Sequence, residues 1–404
     1  MKILQINKYF YRKGGAETVF FNTIKLLENN GHIVIPFSMA HEKNEQSEYS
    51  KYFVNYPELS ESKTIDKIKN IIPFFYNKEA ANKLEKLIQK EQPDIAHIHL
   101  MFNSLSVSIL PILKKHNIPI VMSVHDYRLV CPAYTFTDGN GNFCELCKDK
   151  KFYHCILKKC SQKNLINSFM LSLDSYFRMI FYPPTDYINK FIFVSKFSMN
   201  KHIQVNPIFK NRATYLYNFT PTVPDIPKTK GKYLLFFGRL SEEKGIKTLL
   251  HTIKKDPELI LKIAGTGPLL NELKSNCPAN VEFLGFVKGQ ELENLIRNAS
   301  FVIVPSECYE NNPMTIIESY TIGTPIIGSD LGGIPELIIP DQTGFKFTPK
   351  SIDSLYKVLQ KAKHISETEY IQMTHACKAF AQNNFSEKEH YKKLMQVYKT
   401  FLTK

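Results

Sequence analysis

Two α/β domains, each a doubly wound parallel sheet covered by helices, are predicted for this chain from three observations. Apolar strand-like runs alternate with helix-like segments from end to end. At 404 residues the chain is long enough for two separate cores. Between the halves, the segment from Asn218 to Pro227 carries Pro221, Pro224 and Pro227, which suits an extended linker. The expected division is therefore 1–218 and 219–385, with a helical segment over 386–404.

Taken in order, Met1 to Asn7 alternates like a strand and lacks the long apolar core of a secretory signal. Gly14-Gly15-Ala16-Glu17 then joins strand Ile3–Ile6 to a helix from Thr18 to Leu27. Glycines there permit a ligand to approach the backbone closely, although an ordinary tight turn uses them too. Buried strands are expected at Ile33–Phe37, Asp94–Ile98, Ile120–Val124 and Phe191–Val194, with His125 and Asp126 at the end of the third. The second half reads as strands at Tyr233–Phe237, Leu259–Ile263, Val281–Leu284, Phe301–Val304 and Pro325–Gly328. Two such domains facing one another would form a cleft, a usual place for a ligand.

Residues 126–190 depart from this alternation and are expected to form an insertion. Five of the eight cysteines fall between Cys131 and Cys160, including the pair Cys144-Glu-Leu-Cys147. Clustered cysteines in a reduced compartment read as a metal site before disulfides. Cys131, Cys144, Cys147 and Cys160 could hold a structural zinc, with Cys155 or His154 as substitutes; reduced free thiols are the other reading. Asn164 to Tyr182 follows as a helix rich in Phe169, Leu171, Leu173, Phe177, Ile180 and Phe181. Such a helix is expected to pack on its own domain. The alternative sets it at a membrane interface, with Lys158, Lys159 and Lys163 toward the headgroups.

Hydrophobic content of 43% and charged content of 22% are those of a globular enzyme. No apolar run is long enough to span a bilayer, so a cytoplasmic protein is expected, at most peripheral on the inner face of the plasma membrane. The net charge is +14, and residues 1–220, with 29 Lys and Arg against 18 Asp and Glu, hold +11 of it. That sign favours anionic partners, an anionic membrane surface or phosphorylated substrates. Nucleic acid is excluded as a partner because no nucleic-acid motif accompanies the charge.

Chemistry concentrates in the second half. Gly238-Arg-Leu-Ser-Glu-Glu-Lys-Gly245 sits where a strand hands over to a helix, placing Arg239 and Lys244 at the junction. Arginine grips phosphate oxygens as a fork and lysine as a point charge. Glu310 and Glu318 stand eight residues apart in a segment that follows an apolar strand and enters a helix near Pro313. Both carboxylates can face one crevice beside the N–H-rich start of that helix, which attracts an anion such as a diphosphate. No Asp-x-Asp occurs, and with Arg and Lys present a catalytic metal is not expected.

The order of these features (the Gly-Gly loop, the strand-end His125, Gly-Arg-Leu-Ser-x-x-Lys-Gly, Ala264-Gly-Thr-Gly-Pro268, then the spaced glutamates) resembles the family-four retaining glycosyltransferases of GT-B fold. Pro305-Ser-Glu-Cys-Tyr-Glu-Asn-Asn-Pro313 and Gly332-Gly-Ile-Pro-Glu336 resemble bacterial surface-polysaccharide members in particular. The resemblance spans nearly the whole chain. It implies that the last helix, Ser386 to Leu402, returns to the first domain, and that the second domain binds a nucleotide diphosphate-sugar. It further implies that His125 and Glu310 contact the donor sugar, that Arg239 and Lys244 contact the diphosphate, and that Glu318 holds the ribose. Gly14, Gly15, Gly238, Asn312, Pro313 and Met314 would line the same substrate site, Gly265 and Gly267 would lie near the base, and Asp126 would orient the ring of His125 or the acceptor.

A UDP-sugar is expected over a GDP-sugar, and a lipid-linked glycan as acceptor. Two departures bear on the carry-over. Asn311 to Met314 replaces the usual glycine-rich stretch after the first glutamate, and the cysteine-rich insertion is not general to the family. The rival readings are a nucleotide-sugar epimerase or hydrolase of the same fold, and a non-catalytic metal-stabilised binding protein.

Overall fold

The structure, a computed structural model, describes residues 1–55, 71–224, 226 and 228–402. Asp225 and Pro227 of the proline-spaced segment, and the last two residues of the expected 386–404 segment, lie outside the described residues. The chain divides into two compact units, Met1–Leu216 with Tyr391–Lys404, and Tyr217–His390.

The first unit is built on a six-stranded sheet, β1 (Lys2–Ile6), β2 (Ile33–Phe37), β3 (Ile95–Ile98), β4 (Ile120–Val124), β5 (Lys190–Phe193) and β6 (Ala213–Tyr215). Its spatial order is β2-β1-β3-β4-β5-β6, with every pairing parallel. The second sheet comprises β7 (Tyr233–Phe237), β8 (Leu261–Ala264), β9 (Val281–Gly285), β10 (Ala299–Val304), β11 (Ile326–Ser329) and β12 (Gly344–Phe347). Its order is β12-β11-β10-β7-β8-β9, again all parallel. Parallel strands need helical crossovers that cover both faces, and so these strands are near-continuous apolar runs. In the second unit Phe236, Leu261 and Ile303 face one core and Leu235, Val302 and Ile316 the other. Both sheets therefore present their strand ends, β1, β3 and β4 in one and β7, β8 and β10 in the other, as the places where loops can carry chemistry.

The terminal helix, Glu387–Leu402, sends Leu394, Met395 and Tyr398 into the core of the first unit beside Ile3, Leu27, Ile95 and Val121. Tyr398 is fully buried, and its hydroxyl shares a 2.6 Å hydrogen bond with His97 Nδ1. The helix from Leu165 to Phe181 forms in the insertion but packs the opposite way from the sequence expectation. Ser168, Ser172, Asp174, Ser175 and Arg178 are its buried residues, whereas Leu165, Ile166, Phe169, Leu173, Ile180 and Phe181 are exposed and Leu171 and Phe177 half-buried. Asn164 caps it by accepting from the Asn167 N–H.

Removing the buried hydroxyl in Tyr398→Phe leaves His97 without that partner. The variant should lose about 1–3 kcal/mol in the unfolding of the first unit, measured by urea titration, with little change in its circular dichroism spectrum.

Candidate active site

In the second unit three loops at strand ends converge. The loop after β7 runs through Gly238 and Arg239 into a short turn, Glu242–Lys244, and then the helix Ile246–Ile253. Gly245 joins turn to helix at φ +67, and a Cβ there would stand 1.9 Å from Pro305 O. Only glycine fits, because the backbone following β10 passes directly over it. The loop after β8 packs just as tightly: a Cβ on Gly265 would stand 1.9 Å from Gly238 O, and one on Gly267 2.3 Å from Leu240 O. The Gly238 N–H donates to Ala264 O and the Leu240 N–H to Thr266 O, which locks the two loops together. These glycines thus have a packing role that the sequence reading did not assign.

Lys244 and Glu310 form the polar centre of this arrangement, with Lys244 Nζ 2.5 Å from Glu310 Oε1. Ser306 Oγ donates to the same carboxylate oxygen at 2.8 Å, and the Gly333 N–H donates to Glu310 O at 2.7 Å. Burial alone would neutralise the Glu310 carboxyl, but the ammonium of Lys244 and the Ser306 hydroxyl hold it below the usual carboxylate range. Burial likewise opposes the charge on Lys244, and Glu310 outweighs it and raises the amine. Both groups are therefore ionised at neutral pH. Arg239 is exposed and makes no ion pair or side-chain hydrogen bond among the described residues.

The helix Met314–Ile322 begins beside this pair. Pro313 occupies its N-cap position and no side chain caps it, so its first N–H groups are not met by a capping oxygen. Thr315 Oγ1 reaches Phe237 O at 3.5 Å, tying this helix start to the end of β7. Asn312 is buried and braces Asn218: its Oδ1 accepts from the Asn218 N–H at 2.7 Å and its carbonyl from Asn218 Nδ2 at 3.2 Å. Pro313 and Met314 are half-buried at the helix start, and Glu318 is half-buried one turn further on. Burial, with Glu293 adding to it, pushes the Glu318 carboxyl up to about 7.

The first unit supplies a second cluster. His125 follows β4, and its Nε2 lies 3.0 Å from His99 Nδ1 with the two rings stacked at 5.3 Å. His99 Nε2 lies 3.1 Å from Gln5 Oε1, whose Nε2 is turned toward Tyr398. A carboxamide oxygen only accepts, so His99 carries its proton on Nε2 and accepts at Nδ1. His125 then donates from Nε2, and its tautomer is set from beneath. Burial pushes the His125 imidazole down to about 4, against the pull of Asp126, so the ring is neutral at pH 7. Asp126 is engaged elsewhere: its Oδ1 accepts from the Arg128 N–H at 2.9 Å and its Oδ2 is 3.9 Å from Arg128 Nε. The ring is held by His99, which the sequence reading missed. The signal was His97-Ile-His99, two histidines at strand spacing entering the end of β3.

Gly14 is the N-cap of the helix Gly15–Asn29 and Gly15 its first residue; both are exposed. Gly14 is extended at φ −167, and a Cβ there would meet nothing closer than 3.5 Å. Neither strain nor packing within the unit demands a glycine, which leaves room for a ligand to come close. Cys131, Cys147 and Cys155 are buried and Cys144 and Cys160 half-buried, all as free thiols. They gather: after burial itself the neighbours Cys131, Cys155 and Cys144 push the Cys147 thiol up. Among the described residues, however, no group of three or more His, Cys, Asp or Glu is arranged to hold a metal ion.

Comparison with known proteins places these features. Residues 13–222 match the family model of Glycosyltransferase Family 4 and residues 223–383 that of Glycosyl transferases group 1. A glycosyltransferase of Methanocaldococcus jannaschii is 26% identical over 353 residues, covering 85% of this chain and 83% of that protein. A 42.6 kDa protein in the cps region of Klebsiella pneumoniae is 25% identical over 363 residues, 84% of this chain and 89% of that one. A shorter match, 36% identical over 132 residues, spans 34% of another M. jannaschii glycosyltransferase. Among solved structures, sucrose-phosphate synthase of Thermosynechococcus elongatus superposes with a TM-score of 0.72 at 16% identity, over 99% of this chain and 98% of that one. An Anabaena protein crystallised with UDP gives 0.67 at 18% identity, over 99% and 100%. Both confirm the GT-B arrangement of two Rossmann-like domains expected from sequence.

The raised Glu318 carboxyl has a sign that can be measured. It keeps its proton in the folded state where the unfolded chain, at about 4.5, has lost it. Its contribution to stability is complete below about 4.5 and is lost as pH rises through about 7. Glu318→Gln should therefore raise the melting temperature over the parent at about pH 8 and change it little at about pH 5. A difference that is flat across this range would contradict the assignment.

Proposed function

The chain belongs to glycosyltransferase family 4, and from that membership we propose that it moves a sugar from a UDP-sugar to a lipid-linked glycan acceptor, with retention at the anomeric carbon. The observation that carries this reading is an uncapped helix start at Pro313–Met314 in the same unit as the exposed Arg239 and the charged Lys244. Transfer breaks the anomeric C–O bond and leaves negative charge on the departing diphosphate. Arg239 meets that charge as a fork, Lys244 as a point charge, and the helix start with its N–H groups and dipole. Gly238, Gly265 and Gly267 keep the loops around the site low, so that the nucleotide can lie against backbone.

Glu310, ionised by Lys244, accepts from hydroxyls of the donor sugar, and Glu318 accepts from the ribose. His125 contacts the sugar as a neutral ring, and Gly14 and Gly15 give it close approach. In a front-face displacement the acceptor oxygen forms the new bond to the anomeric carbon as the old bond breaks. The acceptor's proton passes to the departing diphosphate oxygen, so no protein base is needed; a histidine pushed down to about 4 suits a binding rather than a proton-carrying role. The Anabaena structure with UDP supports uracil as the base, and the relative in a cps region supports a surface polysaccharide as the product.

The test is thermal stability with UDP, GDP, UDP-sugars and GDP-mannose. A ligand that binds only the native state at 100 times its Kd adds about 2.7 kcal/mol. UDP and a UDP-sugar should raise the melting temperature and GDP should not. Arg239→Ala should abolish that rise while leaving the ligand-free melting temperature unchanged, since the exposed guanidinium supports nothing in the fold. Proton NMR of the product should show the anomeric configuration of the donor; the inverted anomer would contradict retention.

A further inference from the structure

The helix Leu165–Phe181 is amphipathic in the reverse sense to a helix that faces water. Ser168, Ser172, Ser175 and Arg178, spaced four, three and three residues apart, form one buried polar stripe. The stripe is engaged inward. Ser172 Oγ donates to Phe152 O at 3.0 Å, and Arg178 Nε pairs with the buried Asp174 at 2.9 Å. The Arg178 guanidinium also donates to Arg128 O and lies 4.4 Å over the Phe102 ring. With its polar side committed inward, the helix turns its apolar side out: Ile166 is 73% exposed, Phe169 50%, Leu173 43%, Ile180 61% and Phe181 62%.

The outward face continues onto a neighbouring helix, Ile71–Phe75. The Phe75 and Phe177 rings stand 5.7 Å apart, and Ile72 is 72% exposed. At the other end, Lys158, Lys159 and Lys163 are exposed in the turn that leads into Leu165. Cations at a helix N-terminus oppose its dipole, so these lysines are not explained by the helix they precede. Nor does a second copy of this chain suit the face, because it would set one lysine cluster and one +11 segment against another. An anionic sheet with an apolar interior meets both halves of the pattern.

We propose that this face docks the protein on an anionic lipid bilayer, the Leu165–Phe181 helix lying in the interface plane. Its apolar side chains enter the boundary between headgroups and acyl chains, and the lysines rest on anionic headgroups. No helix among the described residues is long and apolar enough to cross a membrane, so the contact is with one leaflet. Docking stands independently of the nucleotide and sugar proposed above. If the acceptor is lipid-linked, it also keeps the unit at the surface where the acceptor is held.

The test is co-sedimentation of the full chain with vesicles of phosphatidylcholine alone and of phosphatidylcholine with phosphatidylglycerol. Two variants accompany it, Ile166→Ser/Phe169→Ser/Ile180→Ser and Lys158→Gln/Lys159→Gln/Lys163→Gln. All six side chains are exposed, so melting followed by circular dichroism should match the parent. The parent should bind the anionic vesicles and bind less at high salt, and each variant should partition at least about tenfold more weakly. Failure of the parent to bind anionic vesicles would overturn the proposal, as would equal binding by the apolar variant. A parent dimer in sedimentation velocity that the apolar variant dissolves, without vesicle binding, would assign the face to a second copy instead.

Discussion

A half-buried carboxylate that must be matched by one lysine organises the second unit. Glu310 follows β10 and Lys244 follows β7, and their 2.5 Å pair draws together two loops far apart in sequence. Truncating one partner would leave the other charge partly buried without its counter-charge. Much around the pair serves to allow it. Gly245 lacks the Cβ that would collide with Pro305 O, and the Gly333 N–H holds the Glu310 carbonyl. Arg239 and the start of the Met314–Ile322 helix take their places from the loops this pair ties. In the proposed reaction the charges that secure the loops would also face the departing diphosphate.

The first unit uses neutral groups for the comparable task. Gln5, His99 and His125 come from the ends of β1, β3 and β4, adjacent strands of one parallel sheet. Parallel packing brings such strand ends side by side, and hydrogen-bond polarity then leaves the His125 ring one donor direction. Tyr398 links this row to the terminal helix through His97 and Gln5. The last residues of the chain therefore brace a ring at the end of the central strands.

Much of this was legible in sequence, and what was not has physical reasons. Ten strands announced themselves as apolar runs, as buried parallel strands do. Two of the four edge strands, β6 and β12, were missed: Ala213–Tyr215 is three residues long, and Gly344–Phe347 carries Lys346 at its middle. Edge strands are short and polar by nature. The Leu165–Phe181 helix was legible as a helix, but periodicity shows that an apolar side exists without showing which side is covered. At the site, Arg239, Lys244 and Glu310 were identified from motif and resemblance, whereas the pairing of Lys244 with Glu310 depends on tertiary approach. Asn312 was read as a ligand contact because its motif invites it, whereas its bonds to Asn218 depend on tertiary approach. His99 was overlooked because a lone strand-end histidine is ordinary until another ring is found against it.

The central claim is that the second unit is built to hold a diphosphate, and calorimetric titration of the protein with UDP, UMP and uridine tests it most directly. If Arg239, Lys244 and the open helix start receive the two phosphates, UDP should bind at least about tenfold, or 1.4 kcal/mol, more tightly than UMP, and uridine more weakly still. Equal affinities for the three would mean that the nucleoside alone is recognised, and would contradict the account of how this site is charged.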